Sequence, residues 1–268
     1  MSDDKEAFHN KEQVDTNSKS VERIEIEGSV NGNLVVGNNN QVIIQSFEVS
    51  EEPHQEYEPE MIEIPEGPFL MTTNVWRKPE TPELLKSEVF VNSYLIGRSP
   101  ITNLQYDEFV RQTNRKVSPS LGWDGRKIPD GKEDFPVMGV TWYDTIDYCL
   151  WLQSKTERHY ILPDLAQLEK MYQDQYEGEE ALDSLLHQWT RTLWGEKVDA
   201  PDLKYFKFPW ADDRRNDLGA NSQIRRVVCV FEKVNGAETY HLRKRIGELP
   251  DQAGLPGARY GFRVVLRS

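Results

Sequence analysis

The sequence predicts an α+β fold in which long loops connect short strands and three helices. Three stretches between residues 100 and 175 place apolar residues at helical spacing, and each follows a residue that can cap a helix. Elsewhere, short β-branched and aromatic runs alternate with segments rich in Gly and Pro, which is typical of strands and turns. With 268 residues, 37% hydrophobic content and seven Trp, the chain can bury a sizeable core.

Each predicted helix has a recognisable N-terminus. Thr102 is placed to cap the first helix, and Thr141 is placed to cap the second. Asp164 precedes the third, and Gln167 three residues later completes a capping box. The apolar residues that follow these caps are predicted to face the core: Tyr106, Phe109 and Val110; Trp142, Ile146, Cys149 and Leu150; Leu165, Leu168, Met171 and Tyr172.

The N-terminal part of the chain differs from the rest in composition. Residues 1–20 are polar and charged, and we expect a disordered tail because they offer too little apolar surface to offset the ordering entropy. Residues 21–45 carry β-branched runs separated by Asn-Gly and Gly-Asn turns, which predicts a β-element of three short strands. Residues 46–60 are Glu-rich with two prolines and are predicted to be an acidic linker, so that the main domain spans 61–268.

The β-element is too small to be stable without a packing partner. One possibility is a hairpin packed on the main domain. The other is an exposed element that forms a homo-oligomer or pairs with a partner's strand, and its Gly-Asn spacing also resembles the coils of a β-solenoid. The residues expected to carry such assembly are Leu34, Val36, Asn38, Asn39, Asn40, Val42 and Ile44.

The charge distribution argues against a nucleic-acid partner. The net charge is -13, and residues 1–60 hold 14 acidic residues against 4 basic ones. The remaining chain holds 31 acidic residues against 28 basic ones and has one short basic cluster at 243–245. Phosphate contacts require clustered Lys and Arg, so we expect no binding of nucleic acid through bulk charge.

The apolar runs are only a few residues long, and the N-terminus is acidic and polar. These features predict neither a membrane span nor a secretory signal, and therefore a cytoplasmic location. The two cysteines, Cys149 and Cys229, are then expected to be reduced thiols rather than a disulfide.

Six sequence blocks of the main domain resemble, in order, the signatures of the formylglycine-generating enzyme or sulfatase-modifying factor family. The resemblance implies a variant of the C-type lectin-like fold, with two helices and short sheets that carry long loops. The blocks are MIEIPEGPFLM at 61–71, IGRSPITNLQYDEFV at 96–110, FPVMGVTWYDTIDYCLWL at 135–152, YILPDLAQLEKM at 160–171, HQWTRTLWG at 187–195 and YGFRVVLRS at 260–268.

The chain also departs from the family pattern. Ile161 and Leu165 stand where the family usually has Arg and Glu, which is consistent with the loss of a buried ion pair. The family also usually has Thr and Trp at the positions of Asp164 and Leu168. The segment before the HQWTRTLWG block is short, so much of the family's loop structure, including its metal-binding loops, is expected to be missing.

The resemblance implies that the catalytic cysteine pair is absent. The family has an Arg-Val-x-x-Gly-Gly-Ser turn followed by two cysteines that bind copper, and alignment through Arg226 and Val227 puts Val230 and Phe231 at the glycines. No cysteine occupies the expected positions near 234–240. We interpret Cys229 as a buried apolar residue, with a reactive thiol and a metal ligand as alternatives.

We expect neither a cofactor nor a metal site. The five histidines contain no pair at helical metal spacing, and no phosphate-binding or dinucleotide-binding fingerprint is present. The carboxylates of residues 127–134 and 210–217 could hold calcium weakly, but solvated loops are the simpler interpretation.

The second use of this fold that the resemblance implies is recognition. The chain ends in GARYGFRVVLRS, which resembles the C-terminal block of the variable proteins of diversity-generating retroelements. A candidate surface for a protein partner precedes and enters this block, and the alternative is that its arginines form structural ion pairs. The candidate residues are Phe231, Lys233, Asn235, Tyr240, His241, Arg243, Arg245, Arg259 and Tyr260.

The sequence therefore predicts a non-enzymatic recognition module that assembles through residues 21–45. The N-terminal element resembles short β-segments on bacterial conflict-system proteins, which suggests a defence role. The alternatives are an active formylglycine-generating oxidase and a purely structural subunit of a larger complex.

Overall fold

The chain divides into two compact units, Met1–Pro53 and His54–Ser268. The computed structural model describes residues 33–38, 41–46, 57–72, 86–174, 185–206, 214–233, 240–255 and 258–267. In the first unit, strand β1 (Asn33–Asn38) pairs antiparallel with β2 (Gln41–Ser46) over six residue pairs. The further strand predicted around residues 24–26 lies outside the described residues.

The three predicted helices are present in the second unit as α1 (Asn103–Thr113), α2 (Trp142–Thr156) and α3 (Leu165–Asp174). Their predicted caps are confirmed. In each case the capping side chain accepts a hydrogen bond from the backbone N–H three residues later, and that later side chain accepts one from the capping residue's own N–H. The pairs are Thr102 with Gln105, Thr141 with Asp144, and Asp164 with Gln167.

The strands described in the second unit are β3 (Met61–Ile64), β4 (Gly67–Thr72), β5 (Lys86–Val91), β6 (Tyr94–Gly97), β7 (Tyr160–Ile161), β8 (Leu185–Gly195), β9 (Arg225–Lys233), β10 (Tyr240–Glu248), β11 (Gly254–Leu255), β12 (Ala258–Arg259) and β13 (Val265–Leu266). They form small antiparallel sheets with the orders β3-β6-β13-β7, β10-β9-β8, β4-β5 and β11-β12.

The C-terminal segment, residues 260–266, connects the two larger sheets. Val265 pairs with β6 on one side and with β7 on the other. The backbone N–H of Gly261 donates to the carbonyl of His187 on β8 at 2.9 Å. A Cβ at this glycine would lie 2.7 Å from the carbonyl oxygen of Val137, so only glycine lets the segment pass so close to its neighbours.

The core lies on both faces of the β8–β9–β10 sheet. Val227, Cys229 and Phe231 point to one face, where they pack with α3, β4 and β5. Val228 points to the other face and packs with α1, α2 and the C-terminal segment. Because successive side chains of a strand alternate between faces, the short apolar run of β9 serves both clusters.

A buried ion pair joins α3 to β10. The guanidinium of Arg245 donates from Nε to Oε1 of Glu169 at 2.6 Å and from Nη2 to Oε2 at 2.7 Å. The two side chains are only 0% and 2% exposed. Burial raises the pKa of Glu169, and the charge of Arg245 opposes that rise. Neither charge is tolerable in the core without the other, because an unpaired buried ion loses its hydration.

We expect Glu169→Gln to lower the free energy of unfolding by about 3–5 kcal/mol, because it leaves the buried Arg245 without a counter-charge. Urea denaturation followed by tryptophan fluorescence measures the loss. The matched control is Glu232→Gln, which removes the exposed ion pair with Arg243 at 3.2 Å and should cost at most about 1 kcal/mol. Equal, small losses in both variants would contradict the assigned role of the buried pair.

Candidate functional site

The structure places both thiols in the core. Cys229 is fully buried on β9, Cys149 is buried on α2, and neither forms a disulfide. Burial raises the pKa of both thiols, and the charge of Glu169 adds to the effect at Cys229. Since the thiolate is the nucleophile and the metal ligand, neither cysteine is prepared for chemistry. The interpretation of both as apolar core residues is therefore supported.

Both cysteines should resist iodoacetamide in the native protein and react fully in urea, because alkylation requires an accessible thiolate. Intact mass spectrometry measures the extent of labelling. Ser154 is exposed on α2, so Ser154→Cys provides a positive control that should take up one label under native conditions. Rapid single labelling of the unsubstituted chain, lost in Cys229→Ser, would show that Cys229 is reactive.

Three of the residues predicted to form the recognition surface lie inside the core. Phe231 stacks on Tyr172 with ring centroids 3.8 Å apart, and Arg245 is held by Glu169. Tyr260 is fully buried and its hydroxyl donates to Oε2 of Glu248 at 3.1 Å. The expectation of surface exposure is wrong for these three, and for Arg245 the alternative of a structural ion pair is confirmed.

Arg243 and Arg259 lie on the surface as expected. Arg243 is half-exposed and pairs with Glu232, while the guanidinium of Arg259 donates to the carbonyl of Leu121 at 3.2 Å. Lys233 lies at the end of β9, and Tyr240 and His241 lie at the start of β10. Asn235 lies outside the described residues.

A bulge explains why Arg243 and Arg245 differ. Leu242 pairs with Phe231, and Lys244 pairs with Val230, so two steps along β10 match one step along β9. The bulged Arg243 is therefore skipped in the backbone register with β9, although its side chain pairs with Glu232, and the alternation of faces is interrupted. As a result, Leu242 and Arg245 both face the α3 side of the sheet, although they are three residues apart.

Sequence reasoning did not single out His187 and Lys244, which lie beside this surface. Lys244 is exposed on β10, and the ring of His187 lies 6.0 Å from that of Tyr260. Burial lowers the pKa of His187, and the charges of Lys244 and Arg243 lower it further. The basic run 243–245 could have drawn attention to Lys244. Only the fold shows that Arg243 and Lys244 are exposed and that Arg245 is buried.

Two loops, residues 127–134 and 210–217, were considered for calcium, and the structure describes 127–134 and 214–217 of them. No group of three or more His, Cys, Asp or Glu side chains there is arranged to hold a metal ion. Asp130 instead pairs with Lys127 at 2.9 Å, and the carboxylate of Asp217 accepts from the N–H of Gly219. Within the same residues, no helix is both long and apolar enough to cross a bilayer.

The three helices, the small antiparallel sheets and the long connecting loops define a C-type lectin-like fold of the formylglycine-generating type. The chain belongs to the sulfatase-modifying factor family, since residues 46–222 match the family described as the sulfatase-modifying factor enzyme 1-like domain. No curated protein matches the sequence.

Three solved structures are similar to this chain at low sequence identity, and the first of them, with a TM-score above 0.5, supports the fold. PvdO from Pseudomonas aeruginosa is 16% identical, with a TM-score of 0.53 over 80% of this chain and 96% of PvdO. CarF is 12% identical, with a TM-score of 0.48 over 79% of this chain and 99% of CarF. Variable protein 1 of Treponema denticola is 14% identical, with a TM-score of 0.47 over 78% of this chain and 95% of that protein.

Proposed function

We propose that this protein is a non-catalytic recognition module that binds a protein partner through the outer side of β10 and the adjacent C-terminal loop. One observation carries the proposal: Arg243 lies at the bulge of β10, an edge strand among the described strands, and Arg245 two residues later is held in the core by Glu169. Lys244 is exposed beside it, and Arg259 is exposed on β12. A rigid strand that presents exposed cations suits recognition, because little side-chain and backbone ordering remains to be paid on binding.

The state of Cys229 supports a role without thiol chemistry. The family takes its name from enzymes, and the oxidase alternative requires an accessible thiolate. Cys229 is the cysteine nearest to the positions expected for the family's catalytic pair. It is fully buried between β9 and α3, and its pKa is raised. Substrate could reach this sulfur only if the core opened.

The surface residues favour an acidic epitope on the partner. Arg243, Lys244 and Arg259 are all cationic, and among the residues that the structure describes only Arg243 of these three has a carboxylate partner, at 3.2 Å. Exposed charges of one sign contribute to association rate and partner choice more than to raw affinity. We propose a role in a bacterial defence or conflict system because the N-terminal β-element resembles short β-segments of conflict-system proteins. We propose a cytoplasmic location because the apolar runs are short and the N-terminus is acidic and polar.

The charge-reversal variant Arg243→Glu/Lys244→Glu should weaken partner binding by about tenfold or more, because it turns attraction to an acidic epitope into repulsion. The partner is first identified by affinity capture and mass spectrometry. Its affinity for each variant is then measured with purified proteins by calorimetry.

The matched control reverses two exposed cations elsewhere, Arg111→Glu on α1 with Lys155→Glu on α2. Equal affinities in the two double variants would refute the proposed surface. Copper-dependent formation of formylglycine on a cysteine-containing peptide, lost in Cys229→Ser, would instead identify the oxidase.

We also propose that the N-terminal β-element assembles the protein. A two-stranded hairpin is marginal by itself, and among the described strands β1 and β2 pair only with each other, so that the outer edge of each can pair with another strand. The six-pair register of β1 with β2 supplies a regular template for such pairing. A strand donated by a second copy of the chain would pair with an outer edge of the hairpin and would enlarge it into a more stable sheet.

Deleting residues 1–47 should lower the oligomeric mass measured by multi-angle light scattering, while the second unit keeps its circular dichroism spectrum. Replacing only residues 1–20 with a Gly/Ser segment is the control, because the hairpin remains. An unchanged mass after the longer deletion would refute the assembly role.

A further inference from the structure

An open cleft of about 860 Å³ lies at the end of the sheet where β9 begins. It is bounded by the β5–β6 turn, the start of α3, strand β13 and residues 214–217. Its charged lining, which we call the arginine cleft, consists of Arg191, Arg214, Arg215 and Arg267 with Asp164 and Asp217. Nothing in the proposed recognition role accounts for it, since that surface lies along β10 and near the opposite end of β9.

Four arginines and two carboxylates are among the described residues that line the arginine cleft, in a chain whose net charge is -13. Asp164 pairs with Arg191 at 3.0 Å, and Arg215 is buried and has an interaction of its own. Arg214 and Arg267 are exposed and have no ion-pair partner among the described residues. Two guanidinium groups are therefore available to a ligand. Each offers planar paired donors that match an oxyanion.

The backbone conformation of Arg214 is unusual for a residue other than glycine. Its φ is 58°, in the left-handed region that is costly for residues other than glycine. The other two non-glycine residues with positive φ in the described chain, Asn114 and Glu157, are C-caps of helices, where this conformation is regular. Strain outside a cap is often retained for a functional reason.

The residues around Arg214 fix the turn in place. The N–H of Asp217 donates to the carbonyl of Arg214 at 3.0 Å, and the N–H of Leu193 donates to the carbonyl of Arg215 at 2.6 Å. Arg226 then holds the following residue pair by donating to the carbonyls of Asp217 and Leu218. The cleft wall is thus anchored to β8 and β9, and Arg214 is presented from a rigid base.

One wall of the cleft is apolar. Phe90 on β5 lines it and is 58% exposed, which is a high value for a large aromatic side chain. Neighbouring Val91 is partly buried and lines the same wall. An anionic group held by the arginines would have an aromatic surface beside it.

We propose that the arginine cleft binds a ligand with a doubly charged oxyanion group, a phosphomonoester or a pair of carboxylates, and an apolar body that packs on Phe90. Arg214 and Arg267 would each donate to the oxyanion. Two free cations favour a dianion over a monoanion because each negative charge then has its own donor.

The test uses the full chain and isothermal titration calorimetry at low ionic strength. The probes are inorganic phosphate, phenyl phosphate, succinate and acetate. We expect the dianions to bind more tightly than acetate and phenyl phosphate to bind more tightly than phosphate. A preference for phosphate over succinate assigns a phosphomonoester ligand, and the reverse preference assigns a dicarboxylate.

The decisive variant is Arg214→Asn/Arg267→Gln, in which Asn tolerates the left-handed backbone. It should weaken phosphate or succinate binding by about tenfold or more, because it removes charge-assisted hydrogen bonds. Phe90→Ser should remove only the advantage of phenyl phosphate. The matched control, Arg98→Gln/Arg111→Gln, changes two exposed arginines outside the cleft and should leave the affinities unchanged.

Melting temperatures of all variants establish that each is folded. The proposal is overturned if no dianion binds to the unsubstituted chain. It is also overturned if the cleft variant and the control variant bind phosphate and succinate equally well.

Discussion

The ion pair between Glu169 and Arg245 is the interaction on which the arrangement of β10, and with it the proposed recognition surface, depends. β10 is an edge strand, held by β9 on one side among the described strands, and the pair ties it from beneath to α3. Because both charges are buried, α3 and β10 must keep a fixed distance and register, or each charge loses its compensation. The bulge between Leu242 and Lys244 places Arg243 on the exposed side of β10, and the buried ion pair holds this strand in position.

Local signals in the sequence were sufficient for the helix starts but not for the sheets, and the expectation that Leu150 on α2 faces the core is wrong, since it is 59% exposed. A cap involves residues within four positions, so Thr102 and Thr141 marked the helix starts correctly. Sheet order depends on contacts between distant residues, and the pairing of Val265 with both β6 and β7 leaves no pattern in the sequence of either partner. Family resemblance supplied the fold where local patterns could not, and the match over residues 46–222 shows why it succeeded.

For the candidate sites, the sequence could not predict which residues are exposed. Arg245 and Tyr260 are residue types enriched at interfaces, but whether they are exposed depends on partners such as Glu169, 76 residues away. The bulge adds a second difficulty, because strict alternation places Arg243 and Arg245 on one face and the structure does not. The arginine cleft was invisible for the same reason: its cations come from positions 191, 214, 215 and 267, and no short window of the sequence is strongly basic there.

The two proposed surfaces share β9, which bears on whether they act together. At its start, Arg226 donates to the carbonyls of Arg191 and Asp217 and so supports the cleft wall. Further along, Phe231 and Cys229 are packed against α3 and hold the pairing with β10. Coupling between distant sites requires an element with two alternative arrangements. Because β9 is hydrogen-bonded on both sides and packed on both faces, we expect it to keep one arrangement and the two proposed surfaces to be occupied independently.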